Sequence, residues 1–206
     1  MTRLHHQQVR LLGSHVVAHT ELQTIRLEAI HLTSRPFEAG PMGADVTLQV
    51  DTTRTSPVTV LVTSIYAVHA WRAEDSDGTE TVRAGGEEDL WTVEATVTAQ
   101  YAADPDCDLH GAHLLAFGAT SGALAVHPYA REIVQTAVSR AGYPPFTLSM
   151  LKSDWDSDME GKSELEVDAD DLILALELAM ETFRRQSAGA GSVEDEFAAV
   201  NAQAVE

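Results

Sequence analysis

Trp91-Thr92-Val93-Glu94-Ala95-Thr96-Val97-Thr98-Ala99-Gln100-Tyr101 decides the fold class. Apolar side chains fill every odd position and polar ones every even position. Successive side chains of an extended chain point to opposite faces, so the stretch is a strand with one apolar and one polar face. Upstream, Val46, Leu48 and Val50 alternate in the same way with Thr47, Gln49 and Asp51. Between the two, Val58 to Trp71 is apolar on both faces: Val58, Val60, Val62, Tyr66 and Val68 on one, Leu61, Ile65 and Trp71 on the other. That pattern predicts a central strand covered at least partly on both sides. Ile25 to Leu32 is a fourth strand candidate. Thr52 to Pro57 is short enough for a hairpin, and Glu74 to Asp89 is a polar loop rich in glycine and acids. No connection contains an obvious crossover helix, which is consistent with an antiparallel sheet.

After Asp108 the period changes. Leu109 to Ala125 is rich in Ala, Gly and Leu and reads as helical in part, with Gly118 and Gly122 weakening it. Val126 to Gly142 is a firmer helix. Pro128 fits its first turn, Tyr129, Ile133, Ala137 and Val138 share a face, and Gly142 can supply the left-handed closing residue. Pro144-Pro145 forces an extended path through Phe146 to Leu151. Ser153 to Asp171 reads as an acidic linker, and Asp170 to Gln186 as a helix with Leu172, Leu176, Ala179 and Phe183 on one face. Strands followed by helices make this an α+β fold.

The chain has 206 residues, with 13 Lys+Arg against 32 Asp+Glu and a formal charge of −19. Its only lysines are Lys152 and Lys162, so cations for nucleic-acid phosphates or an anionic membrane are scarce. Residues 1–149 hold 9 basic and 17 acidic side chains, a net of −8; residues 150–206 hold 4 and 15, a net of −11. Cys107 is the only cysteine, which excludes an intrachain disulfide and zinc sites built on paired thiolates. Met1 to Val17 is interrupted by His5, His6, Gln7 and Gln8 and forms no signal-peptide apolar region, and no run has the length of a membrane span. The expectation is a soluble, cytoplasmic protein.

No constellation gives a positive reason to expect an enzyme or a cofactor. Asp154-Trp155-Asp156-Ser157-Asp158 has the spacing of a calcium loop, but Met159 and Leu165 stand where glycine and a bidentate glutamate belong. His15 and His19 are four apart and His110 and His113 three apart. No cysteine or carboxylate completes either pair at familiar spacing, so the histidines read as surface or packing residues and no metal is expected. Gly118-Ala119-Thr120-Ser121-Gly122 does not place serine centrally as a nucleophile elbow requires.

His127-Pro128-Tyr129-Ala130-Arg131-Glu132-Ile133, followed by Val138-Ser139-Arg140-Ala141-Gly142-Tyr143-Pro144-Pro145-Phe146-Thr147-Leu148, closely resembles the SecB family of protein-export chaperones. Phe37-Glu38-Ala39 and Gly118-Ala119 match further family elements in the expected order. The resemblance spans roughly residues 22–151, leaving residues 1–21 as an N-terminal extension and residues 152–206 as an acidic C-terminal extension with one helix at about 170–186.

The resemblance implies a four-stranded antiparallel sheet with helices on one face, assembled as a homotetramer, a dimer of dimers. It implies no catalysis and no cofactor. It implies a holdase that binds unfolded polypeptide clients in apolar grooves, working without ATP. Candidate lining residues are Phe37, Met42, Val46, Phe146, Leu148 and Met150, with ordinary core as the competing reading for each. In the family, acids dock the SecA motor; Glu38 and Glu94 match two such positions, whereas Ser34 and Thr92 depart from the other two. The connection after Phe37-Glu38-Ala39 is shorter than usual, His127 replaces an aromatic, and the acidic extension is long. These departures are similar to those of SecB-like chaperones in toxin–antitoxin–chaperone systems. Delivery to the export translocase and protection of a labile antitoxin are both open at this point, and a structural or adaptor protein that keeps the fold without binding clients is the alternative.

Overall fold

The computed structural model describes residues 1–37, 39–73, 89–151 and 162–187. A short strand β1 (Thr2–His5) and helix α1 (His6–Ala18) lead into four long strands: β2 (Thr20–Ser34), β3 (Met42–Ser56), β4 (Thr59–Arg72) and β5 (Trp91–Ala103). These form one sheet in the order β2-β5-β4-β3, every neighbour antiparallel. The α+β class and the four-stranded antiparallel sheet are therefore as expected. The strands run further than their alternation: β3 continues to Ser56, so its hairpin to β4 turns on Pro57 and Val58 alone. Arg54 holds that turn by donating to the Pro57 carbonyl at 2.5 Å.

Opposed residues of paired strands share a face. Val60, Val62, Tyr66 and Val68 of β4 lie opposite Tyr101, Ala99, Ala95 and Val93 of β5, and all eight are buried. This is the inner face, covered by helix. The outer face carries the even residues of β5 and is rich in threonine, with the Thr63 and Thr98 hydroxyls 3.3 Å apart.

The covering layer is one continuous rod: α2 (Gly111–Phe117), a single π-helical turn (Gly118–Gly122) and α3 (Ala123–Arg140). The glycines that weaken the helix on propensity are there for proximity. A Cβ on Gly118 would collide with Thr52 Oγ1, and one on Gly122 would stand 3.0 Å from both methyls of Val62. Because the rod starts upstream, Pro128 lies inside the helix and not in its first turn. Val126, Ala130, Val134 and Val138 face the sheet. Gly142, at φ +86, closes α3: its N–H reaches the Ser139 carbonyl at 3.1 Å and that of Tyr143 reaches the Val138 carbonyl at 3.3 Å. This pairing satisfies two of the carbonyls that a helix end leaves open.

A second core lies beside the sheet. Strand β6 (Lys162–Val167) pairs antiparallel with β1, and α4 (Ala169–Ser187) packs with α1 and α2 around Leu4, Val9, Leu12, Ala112, Ala116, Leu172, Ala175, Leu176 and Ala179. Residues 162–167, expected within a linker, are a strand because their partner is the N-terminus, a pairing that local pattern does not reveal. The Asp154 to Asp158 run lies outside the described residues. Asp168 caps α4, accepting from the N–H groups of Asp170 and Asp171 at 3.0 and 3.3 Å. Asp171 in turn caps α2, accepting from the Ala112 N–H at 2.8 Å.

The close approach at Gly118 is testable. Gly118→Ala is expected to lower stability by about 1–3 kcal/mol, since a methyl must displace Thr52. An unchanged denaturation midpoint would contradict that packing.

Candidate functional site

The rod runs with α2 and the π-helical turn against β3 and with α3 over β4 and β5, and the strand beyond β5 is covered only in part. On β2, Leu22, Leu27, Ile30 and Leu32 lie opposite Tyr101, Val97, Ala95 and Val93, on the inner face, yet they are 43, 43, 39 and 39% exposed. Two register shifts, between Leu22 and Thr24 and between Leu27 and Ala29, keep these residues on one face. An extra residue in one strand resets which side the next residues point to. The result is an apolar stripe along an edge strand.

At the far end of β2 the stripe meets an aromatic cluster. Tyr143, placed by the closing turn of α3, inserts beside Trp91 with ring centroids 6.4 Å apart. Its buried hydroxyl donates to the Arg35 and Leu90 carbonyls, at 2.9 and 3.0 Å. Phe37 meets the Tyr143 ring edge-on at 5.3 Å, and Phe146 meets Trp91 at the same distance. Phe37 remains 44% exposed, while Phe146 and Met42 are partly buried against the core. Val46, on the inner face of β3, is exposed. Leu148 is 1% exposed and belongs to the core, whereas Met150, two residues on, is 74% exposed.

His127 explains that contrast. Its Nε2 lies 2.9 Å from the Ser149 carbonyl, which can only accept, so Nε2 carries the proton. In the neutral ring Nδ1 is then an acceptor, and the Tyr66 hydroxyl stands 3.3 Å from it. Burial pushes the Tyr66 hydroxyl up to about 12, so it stays a donor. The residue that departs from the aromatic pattern thus pins the extended 144–151 segment to the sheet, with Leu148 inward and Met150 outward. Of the acidic pair, Glu94 projects from the outer face opposite His31 and Ala67, away from the apolar side. Glu38 lies outside the described residues.

The histidine pairs find partners that spacing does not show. Cys107 Sγ stands 3.5 Å from His15 Nε2, and the ligating atoms of His15, His19 and Cys107 lie within 4.8 Å of one another. No familiar sequence spacing links Cys107 to this pair; it is far away in sequence and adjacent in space. His113 stacks on His15 with centroids 4.3 Å apart, accepts from the His110 N–H at 3.1 Å and donates to the Ala175 carbonyl of α4 at 2.9 Å. Burial first, then His19, draws the His15 pKa down to about 4; burial first, then His15, draws that of His113 to about 3. Burial first, then the Asp104 charge, pushes the Cys107 thiol up.

The fold has a counterpart among known proteins. The SecB-like chaperone Rv1957 of Mycobacterium tuberculosis is 26% identical over 151 residues, 68% of this chain and 82% of the relative. The chain is similar to this SecB-like chaperone. Its fold superposes on the solved structure of the same mycobacterial chaperone with a TM-score of 0.57, at 21% identity over 68% of this chain and 96% of that one. That structure holds Rv1957 in complex with a ChAD peptide from the Rv1956 HigA1 antitoxin. No protein-family model matches the sequence. Among the described residues no helix is long and apolar enough to cross a membrane.

Two outcomes follow for this chain. His127→Phe leaves the buried Tyr66 hydroxyl without its partner and should cost about 1–3 kcal/mol, read by denaturant unfolding; a variant as stable as the parent would contradict the network. The second concerns pH. The groups around the stack are His19, His110, Asp108 and Asp171. Unfolded histidines take up protons below about 6.5, whereas folded His15 and His113 do so only near 4 and 3. Between those limits the unfolded state binds more protons, so stability falls as pH falls, by on the order of several kcal/mol in all. In the presence of a chelator the denaturation midpoint should drop between pH 7 and pH 4.5; a flat profile would contradict neutral, buried rings.

Proposed function

We propose that this chain is an ATP-independent chaperone of the holdase type, which binds extended, unfolded polypeptide on its uncovered apolar surface, and whose client is an apolar segment of a labile antitoxin. One observation carries the reading: large apolar side chains stand open on the inner side of the sheet of a SecB-like chain. A holdase prefers the unfolded state, so it needs apolar area and no fixed side-chain code. Each client aliphatic or aromatic side chain fully buried contributes roughly 1.5–3 kcal/mol before ordering costs, so several modest subsites along a groove suffice.

The client path runs over the aromatic end of the sheet. Phe37, Met150 and Val46 offer the open surface, Met42 and Phe146 form its half-buried floor, and Leu148 holds the floor from within the core. The stripe on β2 is assigned to contact between subunits, because a long edge strand with open backbone groups and an apolar face is otherwise an aggregation hazard. A dimer of dimers covers it. Glu94, on the opposite face, is left for a basic partner.

Stoichiometric protein should suppress aggregation of a chemically denatured client without ATP; no effect at severalfold excess would sink the reading. Phe37→Ser should weaken client binding by roughly tenfold at a stability cost of about 1 kcal/mol. Leu148→Ala should instead cost about 2–5 kcal/mol of stability. The reverse pattern would move the groove elsewhere.

A further inference from the structure

Three segments converge where α1 turns into β2. His15 lies in the last turn of α1, His19 just after it, and Cys107 in the segment that leaves β5. We propose that His15, His19 and Cys107 form a binding site for a zinc-class divalent cation that clamps the second core onto the sheet. In tetrahedral zinc sites, with Zn–N near 2.0–2.1 Å and Zn–S near 2.3 Å, a nitrogen and a sulfur ligand sit about 3.6 Å apart. His15 Nε2 and Cys107 Sγ stand 3.5 Å apart. Two imidazoles and one thiol favour borderline-soft zinc over calcium or magnesium, which take oxygen ligands.

The supporting shell is also in place. A ligating histidine usually has its second ring nitrogen held by a hydrogen bond, which fixes the ring. His15 Nδ1 lies 3.0 Å from Thr182 Oγ1 of α4, and His19 Nε2 lies 3.3 Å from the same oxygen. The hydroxyl has one proton to give, so at least one ring donates to it and is held as a ligating ring requires. Arg54 fixes the third ligand by donating to the Cys107 carbonyl at 2.9 Å. The Asp104 N–H reaches the His19 carbonyl at 3.0 Å, and the Cys107 N–H reaches the Asp104 carbonyl at 3.2 Å, so both ligand-bearing segments are tied backbone to backbone. The Asp104 carboxylate, 3.7 Å from His19 Nδ1, stands at the open side and supplies the fourth ligand directly or through a water.

Binding involves no redox step. The Cys107 thiol loses its proton to solvent, the sulfur–metal bond forms, and thiolate and carboxylate together balance the two positive charges. Thr182 of α4 lies behind both ligating rings, so metal occupancy and docking of the C-terminal helix support each other.

Titrating the full chain with Co2+, then displacing it with Zn2+, tests the site. One equivalent of cobalt should bind with a near-ultraviolet thiolate-to-cobalt band and the visible spectrum of a four-coordinate ion, and zinc should remove both. Cys107→Ser should abolish the thiolate band, and His19→Gln, at a partly exposed position, should weaken binding by at least about tenfold. Zinc should raise the thermal midpoint of the parent and much less that of His19→Gln. No saturable binding, cobalt bound without a thiolate band, or His19→Gln binding as tightly as the parent would each overturn the proposal. If Cys107→Ser does not fold, the parent spectrum and His19→Gln decide.

Discussion

One helix is too narrow for four strands, and the rest of the molecule follows from that mismatch. A helix with its side chains is about 10 Å across, and neighbouring strands lie about 4.8 Å apart, so one rod covers two strands well. Here the rod lies on β4 and β5, whose inner faces are buried throughout. Gly118 and Gly122 let it sink close enough to reach Thr52 and Val62, which draws cover toward β3. That leaves β2 on the far side with four large apolar residues in the open. A protein that only had to fold would place polar residues there; this one spends two bulges keeping them apolar and on one side.

The second core holds the rod at its start, and histidines make most of the cross-links. His113 joins α2 to α4, His15 joins α1 to α4 and to Cys107, and His127 joins α3 to β4 and to the extended segment that follows it. An imidazole suits this role because it donates from one end and accepts at the other, spanning two elements without a net charge. The acidic C-terminal region is correspondingly double in use. Asp168 and Asp171 are structural caps, so part of the charge that appears to be a solubilising tail organises helix ends.

What could be read in the sequence follows the same physics. Strand β5 was legible because it is regular and covered on one face only, so its alternation is unbroken over Trp91 to Tyr101. Strand β2 was only half legible: its apolar residues fall at spacings of three and two, and the bulges that cause this belong to its pairing with β5. Helix α3, its closing Gly142 and α4 carry their signals locally. β6 does not, since its ladder is made with the first residues of the chain. Of the candidate groove, Phe37, Val46 and Met150 are open, and Met42 and Phe146 half so. Leu148 is inward because a hydrogen bond from His127 fixes the rotation of its segment. The Cys107–His15 contact joins residues distant in sequence, so no spacing rule could have announced it.

The central claim is that the uncovered inner side, at its aromatic end, is where extended polypeptide binds. Hydrogen–deuterium exchange of the protein with and without a stoichiometric extended apolar peptide addresses it directly. Binding should slow exchange at residues 35–37 and 143–150 and along β3 near Val46. Protection confined to α1 and α4, or none at all with the peptide bound, would contradict it.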